Sequence, residues 1–349
     1  MSERSRGATY GLAAALLFGA SAPLCKLLLP SIRPLMLAGL LYLGAGVGLS
    51  AYRWIARRGF VQQQAQLARS DSPLLGGVIV LGGIIGPVLM LFGLQQVSGV
   101  AGALLLNLEA VFTMLIALLL FREHLGRAEA VAAAAVVLGA GVLGYRPGEM
   151  QADWKGVLAI AGACLSWGFD NNLTQRLSRR DPTAVVRVKT LGAGTCTFLM
   201  ALAMKQQLPR PGLLMAALLV GALVYGISIV FDVYALRYLG AAREAAFFAV
   251  APFAGAALAV PLLRELPSTI DYLAAVFMAA GVALLVRARH SHAHRHEALV
   301  HEHEHLHDEH HQHNHEGPVT EPHSHVHRHG AVEHEHPHVS DLHHRHPHK

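Results

Sequence analysis

The segment Phe92–Glu123 reads FGLQQVSGVAGALLLNLEAVFTMLIALLLFRE. From residue 98 to residue 121 it is a nearly unbroken apolar run, long enough to supply the about 20 residues that an α-helix needs to cross the hydrocarbon core of a bilayer. The run lacks the ten-residue alternation of a barrel strand, and every backbone amide in lipid must be bonded within its own segment. The segment therefore predicts a membrane-spanning helix.

A second segment, Tyr234–Glu265, reads YALRYLGAAREAAFFAVAPFAGAALAVPLLRE and is related to the first. Residues 97–145 align without a gap with residues 239–287, and this register brings together the Arg-Glu dipeptides at 122 and 264. Because alanine and leucine match by chance in any membrane protein, the gapless register and the paired dipeptides carry the evidence. They predict an internal repeat.

The composition extends the membrane prediction to most of the chain. The 349 residues are 53% hydrophobic and only 15% charged, which is more apolar than a soluble domain. Ten apolar stretches of about 20 residues recur with short polar breaks. The predicted spans are 8–29, 34–54, 74–94, 98–121, 125–145, 155–176, 184–204, 212–235, 239–263 and 269–288. The predicted fold class is an all-α membrane protein with ten transmembrane helices and a disordered tail.

Lysine and arginine residues are distributed unequally between the polar breaks. With a cytoplasmic N-terminus, 17 of the 24 Lys and Arg residues before position 290 lie on the cytoplasmic side. The positive-inside rule then places both termini in the cytoplasm, in a bacterial-type inner (plasma) membrane. Five helices per repeat is an odd number, so the second repeat enters from the opposite face. We expect two inverted five-helix repeats, residues 1–150 and 151–289, and a cytoplasmic tail, residues 290–349.

These features resemble the EamA family of the drug/metabolite transporter superfamily. The resemblance rests on LFGAS at Leu17–Ser21 and on the two related segments quoted above. It implies two inverted five-helix repeats, cytoplasmic termini, and transport of small metabolites or toxic amphiphiles, often in exchange for protons. The family pattern of a proline ahead of a Glu fits Pro252 with Glu265, whereas Ala110 stands at the corresponding place in the first half. The resemblance covers residues 8–288 and does not identify the substrate.

Polar side chains interrupt several predicted helices at helical spacing. Trp167, Asp170 and Asn171 lie at i, i+3 and i+4 on helix 6 and share one face. Tyr225 and Asp232 belong to a similar stripe on helix 8. Ionisable groups inside a span are costly and usually face the bundle interior. We expect these residues to line a substrate and proton pathway, although a polar stripe can instead hold helices together.

Glu109, on helix 4, completes a set of three carboxylates with Asp170 and Asp232. A buried carboxylate without a partner can gain and lose a proton near neutral pH, which proton-coupled exchange requires. Asp232 is close in sequence to Arg237, so an ion pair is the alternative for it. Glu109 and Asp170 are therefore the favoured proton carriers.

Other features near the helix ends predict capping and bending. Glu123 and Glu265 precede predicted helices, where a carboxylate favours the positive N-terminal end of the helix that follows. Lys26, near the outer mouth, either attracts an anion or extends toward the interface. The run GGVIVLGGIIGP at 76–87 predicts that helix 3 packs closely and bends.

Several classes of function are excluded or disfavoured by the sequence. No P-loop is present, so ATP would not drive transport within this chain, and no hydrolytic signature indicates an enzyme. The basic residues lie in short gaps between apolar runs rather than on a soluble face, which argues against nucleic-acid binding. Cys25, Cys164 and Cys196 show no CxxC spacing and are interpreted as packed apolar side chains.

The tail from His290 onward carries 23 of the 24 histidines, lacks apolar periodicity and contains several prolines, which predicts disorder. Histidines at i and i+2 lie about 7 Å apart on one side of an extended chain, close enough for two imidazoles to share an ion. Imidazole and carboxylate without thiolate suit nickel, cobalt, zinc or copper(II). The predicted metal ligands are His301, His303, His305, His307, His310, His311, His313 and His315. Incidental metal binding and a pH-responsive polyelectrolyte are the alternatives.

The sequence therefore predicts a secondary transporter that exports a small metabolite or drug by proton-coupled alternating access and requires no cofactor. One alternative is a transporter of divalent metal or a metal complex, whose tail collects the cargo. Another is a membrane-anchored metal buffer or sensor without transport. The expected partners are a small-molecule or ion substrate and the lipid bilayer, and the sequence leaves a homodimer open.

Overall fold

The computed structural model describes ten ranges of the chain. These are residues 3–56, 67–121, 127–144, 153–177, 180–239, 247–287, 290–296, 299–305, 323–329 and 332–338. Through residue 287 the described chain is helical apart from short turns, which confirms the predicted all-α membrane architecture. Seven helices of these ranges are long and apolar enough to cross a membrane, and Ala251–Leu263 and Thr269–Leu284 are shorter apolar helices.

The helices coincide with the ten predicted spans and are numbered here as passages. The bounds are passage 1, Glu3–Gly19 and Ser21–Leu28; passage 2, Pro34–Ala56; passage 3, Ser72–Gly77, Val78–Ile85 and Gly86–Gln96; passage 4, Gly99–Leu105 and Leu108–Phe121; passage 5, Arg127–Gly144; passage 6, Asp153–Arg176; passage 7, Pro182–Ala203; passage 8, Pro211–Val220, Gly221–Ile227 and Ser228–Leu239; passage 9, Ala251–Leu263; and passage 10, Thr269–Arg287. Passage 8 extends to Leu239, where the sequence had predicted the start of passage 9.

Passages 3 and 8 each contain a π-helical stretch, Val78–Ile85 and Gly221–Ile227. The two halves are related by an offset of 142 residues, and this offset aligns the two π-helical stretches with a difference of at most one residue at either end. The predicted irregularity of helix 3 is therefore present. Its counterpart in passage 8 was missed, because Gly221 and Gly226 are less conspicuous than the glycine run of passage 3. Stretches of π-helix frequently mark functional positions.

The pairing of the passages follows an approximate two-fold relation between the halves. Three pairs join equivalent passages of the two halves: passage 2 packs on passage 7, passage 4 on passage 9, and passage 5 on passage 10. In addition, passage 1 packs on passage 8, and passage 3 packs on passage 6. Exchanging passages 1–5 for passages 6–10 leaves this set of pairs unchanged. Five passages per unit require opposite insertion of the two units, as inverted repeats do. The division at residue 150 stays a prediction, because residues 145–152 lie outside the described ranges.

Glycines at aligned positions bring passages 5 and 10 close together. A Cβ on Gly139 would lie 3.0 Å from the Ala274 carbonyl oxygen, and one on Gly281 would lie 2.6 Å from the Ala132 carbonyl oxygen. Small residues that allow backbones to approach are typical of helix contacts in membranes. The 142-residue register that aligns these two glycines in sequence therefore also relates them in the fold.

The ten passages alternate in direction, so passage 1 begins and passage 10 ends at the same membrane face. We call this the terminal face and the opposite one the distal face. At the terminal face Arg53 binds Asp181 at 2.8 Å, and Arg180 binds Asp71 at 2.8 Å. Lys26, at the distal face, donates to the carbonyl oxygens of Leu94 and Val97 at the end of passage 3.

The carboxylate of Glu265 has a different role from the one predicted. It accepts hydrogen bonds from Gly99 N at 2.8 Å and Val100 N at 3.0 Å, so it caps passage 4 rather than the helix that follows it. Passage 10 is capped instead by Ser268 and Asp271. The carboxylate that caps a helix N-terminus can come from any part of the chain, so the chain order did not reveal this partner. Glu123 lies outside the described residues.

The described part of the tail forms four strands, β1 His290–His296, β2 Leu299–His305, β3 His323–His329 and β4 Val332–His338. Strand β1 pairs antiparallel with β4, and β2 with β3, as two separate two-stranded ladders. A two-stranded ladder on its own is marginally stable in water. The pairing is therefore compatible with a tail that lacks a stable fold of its own.

Candidate functional site

The candidate site is centred on an ion pair between passages 6 and 7. Lys189 donates to the carboxylate of Asp170, and the two side chains are 17% and 5% exposed. Thr174, one turn along passage 6, donates to the other Asp170 oxygen at 3.4 Å. The sequence placed Asp170 in the interior as an unpaired carboxylate, and the structure supplies the partner. A buried charge pair between the helices of a membrane protein is a candidate functional site.

The π-helical stretch of passage 3 lies directly against this pair. The Gly82 carbonyl accepts two hydrogen bonds, from Tyr42 OH at 2.9 Å and from Trp167 Nε1 at 3.1 Å. A Cβ on Gly82 would occupy the place of the Asp170 carboxylate, so only glycine permits this approach. Ser166 donates to the neighbouring Leu81 carbonyl at 2.8 Å. Side chains of passages 2 and 6 thereby satisfy carbonyls of a stretch whose helical hydrogen bonding is irregular.

A second polar contact joins passages 4 and 6 beside the ion pair. Asn171 Nδ2 donates to Glu109 Oε1 at 2.9 Å and lies 3.2 Å from Thr113 Oγ1. Asn172 is buried and donates to the Thr113 carbonyl at 3.0 Å. Because Asp170 and Asn171 are consecutive, the charge pair and the Glu109 contact lie side by side on passage 6. The predicted face of passage 6 therefore has two neighbours, with Asp170 against passages 3 and 7 and Asn171 against passage 4.

The passage 8 side of the centre is aromatic. Tyr225 is buried, its ring centroid lies 5.8 Å from that of Tyr42 and 6.1 Å from that of Phe18, and its hydroxyl lies 3.9 Å from Cys25 Sγ. Ser228 donates to the Val224 carbonyl of its own helix, which is the structural role expected of a hydroxyl in a membrane helix. Tyr42 thus links the polar contacts of passage 3 to the aromatic side chains around passage 8.

Five of the six predicted pathway residues lie around this centre: Glu109, Trp167, Asp170, Asn171 and Tyr225. The sixth, Asp232, lies farther along passage 8, about two turns before its end at Leu239. The side chain of Arg237, its predicted alternative partner, lies outside the described part of the chain. The structure thus brings five of the six predicted residues to one centre, and their roles stay predictions.

Two important residues of the centre were not predicted. Lys189 was interpreted as one more cytoplasmic basic residue, and Tyr42 was unremarkable in an apolar segment. Lys189 lies seven residues after the start of passage 7, about 10 Å along the helix axis. A cation at such depth requires a counter-charge, so its position was the available signal. Tyr42 carried no such signal.

The described residues of this centre do not gather into a set of metal ligands. In the described ranges no group of three or more His, Cys, Asp or Glu side chains converges on a metal position. Of the predicted tail ligands, His301, His303 and His305 lie in strand β2, and the five from His307 to His315 lie outside the described residues. Metal binding by the tail stays a prediction.

A cavity of about 400 Å³ opens at the distal face, where passage 4 begins. Ser98, Val100, Glu265 and Asp271 contribute to its lining. Because Glu265 and Asp271 both cap helices there, the polar groups of this cavity are already engaged in the fold. The central ion pair therefore remains the better candidate site.

Comparison with known proteins decides the family. The model of the EamA-like transporter family matches residues 5–145 and 154–287, one match for each half of the chain. The chain belongs to the EamA-like transporter family. It is therefore a multi-pass membrane transporter of the drug/metabolite transporter superfamily, not an enzyme, and it works in lipid on a small-molecule substrate.

Individual relatives agree with this assignment. An uncharacterized transporter of Methanothermobacter thermautotrophicus is 29% identical over 290 residues, which are 78% of this chain and 84% of that protein. A solved crystal structure aligns with a TM-score of 0.59 at 20% identity, over 80% of this chain and 95% of the other. At that identity the structural likeness shows the fold alone. The EamA-like assignment therefore rests on the match to both halves.

Proposed function

We propose that this EamA-like transporter exports a small metabolite or drug in exchange for protons, and that Glu109 is the proton-carrying carboxylate. The observation that supports this role is the Glu109–Asn171 contact at 2.9 Å beside the Asp170–Lys189 ion pair. The contact lies where passages 4 and 6 meet, next to the irregular stretch of passage 3. In inverted-repeat transporters, substrate and coupling-ion sites lie at such interrupted helices near the repeat interface.

Charge separates the roles of the two central carboxylates. Asp170 binds the ammonium group of Lys189, so its charge already has a counter-charge. Glu109 instead accepts a hydrogen bond from the neutral amide of Asn171. A carboxylate that carries a proton changes its charge during transport, and of the two Glu109 can do so without leaving a buried cation unpaired. Of the two favoured proton carriers, Glu109 is therefore the better one, and Asp170 holds Lys189 at the centre.

The direction of export and the location in an inner membrane belong to the same proposal. The ten passages put both termini at one face, and the excess of Lys and Arg on that face supports a cytoplasmic terminal face. A substrate that enters from the cytoplasm meets the Lys189–Asp170 pair on passages 6 and 7, in the half of the membrane that adjoins this face. Alternating access would then expose Glu109 to each side in turn.

A test of this proposal uses the full-length protein in liposomes that contain a pH-sensitive dye. Candidate metabolites and drugs are added under an imposed proton gradient, and substrate-dependent proton movement identifies the transported compound. Glu109→Gln keeps the hydrogen bond from Asn171 but cannot ionise, so we expect it to lose proton coupling and at least tenfold of net export. Glu129→Gln, the same change at the start of passage 5, should behave as the unchanged protein.

The same liposomes distinguish the alternatives. Full coupling by Glu109→Gln would contradict the proton-carrying role. Movement of zinc or nickel with no response to any organic solute would favour the metal transporter. Removal of residues 290–349 should leave export intact if the tail does not carry substrate.

A further inference from the structure

The distal halves of passages 3 and 4 form a helical hairpin, residues 86–105, which has irregular backbone at both of its ends. Passage 3 is π-helical over Val78–Ile85, immediately before the hairpin. Passage 4 is interrupted at Leu106 and Asn107, immediately after it, and Asn107 N and Glu109 N bond carbonyls three residues back. Helices bend at irregular stretches of this kind. We call residues 86–105 the distal hairpin, and it joins the rest of passages 3 and 4 at two points where bending is easy.

Both of these points lie beside the candidate site. Gly82, in the π-helical stretch, approaches the Asp170 carboxylate so closely that a Cβ would collide with it. Glu109 follows the interruption of passage 4 and accepts a hydrogen bond from Asn171 at 2.9 Å. A change of contacts at the centre therefore acts directly on the points about which the distal hairpin can bend.

The tip of the distal hairpin is held by two charged side chains from other parts of the chain. Lys26, in passage 1, donates to the carbonyl oxygens of Leu94 and Val97 at the end of passage 3. Glu265, between passages 9 and 10, accepts from two backbone N–H groups at the start of passage 4, at 2.8 and 3.0 Å. The cation binds the carbonyl end of one helix and the anion binds the amide end of the next, which is the favourable sign at each. Each half of the chain thus contributes one side chain to the tip.

Close packing brings the distal hairpin against passages 1 and 9. A Cβ on Gly255, in passage 9, would collide with the Gly19 carbonyl oxygen of passage 1 and would lie 3.2 Å from Ala103 Cβ of the hairpin. A Cβ on Gly99, at the tip, would collide with the Leu263 side chain. These contacts leave no room for a further atom. The distal half of the transporter is therefore closed where the hairpin meets passages 1 and 9.

The turn that carries Glu265 is strained and faces an open cleft. The cavity of about 400 Å³ at the distal face is lined by residues from both sides of the contact, among them Ser98 and Asp271. Arg264, directly before Glu265, has a φ of 55°, in the left-handed region that usually takes glycine. Strain of this kind persists only where surrounding contacts fix the backbone. Release of the Glu265 hydrogen bonds would therefore also release a strained turn.

We propose that the distal hairpin is the moving element of a gate at the distal face, and that Lys26 and Glu265 form its latch. Release of the latch lets the hairpin bend at its two irregular ends and separate from passages 1 and 9, which opens the interior to that face. The gate goes beyond the proposed exchange of substrate for protons, since it requires neither a particular substrate nor a proton on Glu109.

A distance measurement in the full-length protein tests the gate. Nitroxide labels are attached at Gln96→Cys, on the tip of the hairpin, and at Leu266→Cys, on the facing turn, because both positions are exposed. The background is Cys196→Ser, since Cys196 is exposed while Cys25 and Cys164 are buried. We expect dipolar broadening of the EPR spectrum while the latch is closed, and loss of this broadening when the hairpin separates.

Substitutions in the latch should open the gate. Glu265→Gln can accept only one of the two backbone hydrogen bonds, and Lys26→Met removes the ammonium group. We expect each to reduce the broadened fraction by about twofold or more, because fewer bonds favour the closed form. The matched controls are Asp271→Asn, which caps its own passage at the same face, and Lys155→Met, an exposed cation at the start of passage 6. Unchanged broadening in either latch variant, or an equal loss in its control, would overturn the proposal.

A second pair of labels separates opening of the gate from loss of the fold. Val137→Cys and Ala279→Cys are exposed, equivalent positions of passages 5 and 10, which pack against one another. We expect the latch variants to keep the broadening of this pair. Its loss together with that of the first pair would overturn the gate, because the latch would then hold the fold as a whole. Neither measurement uses a substrate or a proton gradient, so the outcome is independent of the proposed export.

Discussion

Passages 3 and 8 contain π-helical stretches at matching positions of the two halves, but their surroundings differ. In passage 3, Gly82 contacts Asp170, and its carbonyl accepts from Tyr42 and Trp167. In passage 8 the corresponding stretch packs against the backbone of passage 2 and against aromatic side chains around Tyr225. Duplication explains the shared backbone irregularity. A few polar substitutions on one side explain why the charged site lies at passage 3.

The largest expected effect comes from removing the cation on the passage 3 side. Lys189→Met would leave the Asp170 carboxylate buried without its partner, which typically costs about 3–5 kcal/mol. We expect the free energy of unfolding, measured in lipid bicelles, to fall by that amount. Leu41→Met, next to the stretch of passage 8, is a volume-conserving change and should cost less than about 1.5 kcal/mol.

A double variant checks the physical reason. Asp170→Asn combined with Lys189→Met removes both charges and should recover most of the stability lost by Lys189→Met, without restoring transport. If Lys189→Met is no more costly than Leu41→Met, the ion pair does not distinguish the two sides.

A smaller effect is expected from adding one methyl group to each π-helical stretch. The Cβ of Gly82→Ala would collide with the Asp170 carboxylate, and overpacking of this kind costs about 1–3 kcal/mol. Gly226→Ala, in passage 8, would meet its nearest neighbour, the Ala45 carbonyl oxygen, at 3.4 Å, which is ordinary contact. Thermal unfolding of both variants in the same detergent should show a loss for Gly82→Ala alone. Equal losses would show that the two stretches are equally packed.

The smallest effect concerns the tyrosines on the two sides. Tyr42→Phe removes one of the two donors to the Gly82 carbonyl and should cost about 1 kcal/mol, because the Trp167 bond remains. Tyr225→Phe removes a 3.9 Å contact with a weak sulfur partner and should cost less. Unfolding free energies of the two variants, measured side by side, rank the contacts. The reverse order would contradict the difference drawn between the passages.

Much of the fold was predictable because apolar length is a property of a local segment. The ten spans, the internal repeat and the all-α class follow from stretches of about 20 residues and from one gapless alignment. The site was only partly predictable. Asp170 and Glu109 are conspicuous as carboxylates inside apolar segments, whereas Tyr42 resembles its apolar neighbours until its hydroxyl is seen at a carbonyl.

The capping of passage 4 shows the same limit. Glu265 was recognised as a cap from its place before a helix, and its actual partner is the start of a passage more than 160 residues earlier in the chain. Sequence spacing reports neighbours on one helix, where positions i, i+3 and i+4 meet. It contains no equivalent rule for contacts between passages.

The sequence by itself determined that this chain crosses a membrane ten times, that its halves are related and that a histidine-rich tail follows. It also determined which polar residues are expensive to place in lipid. Only the tertiary structure decided that Asp170 pairs with Lys189, that both lie against Gly82, and that Glu109 has Asn171 as its neighbour. The physical reason is that burial of an apolar stretch depends on its own length and composition. The partner of a buried charge depends instead on which helices pack side by side and how closely a glycine lets them approach.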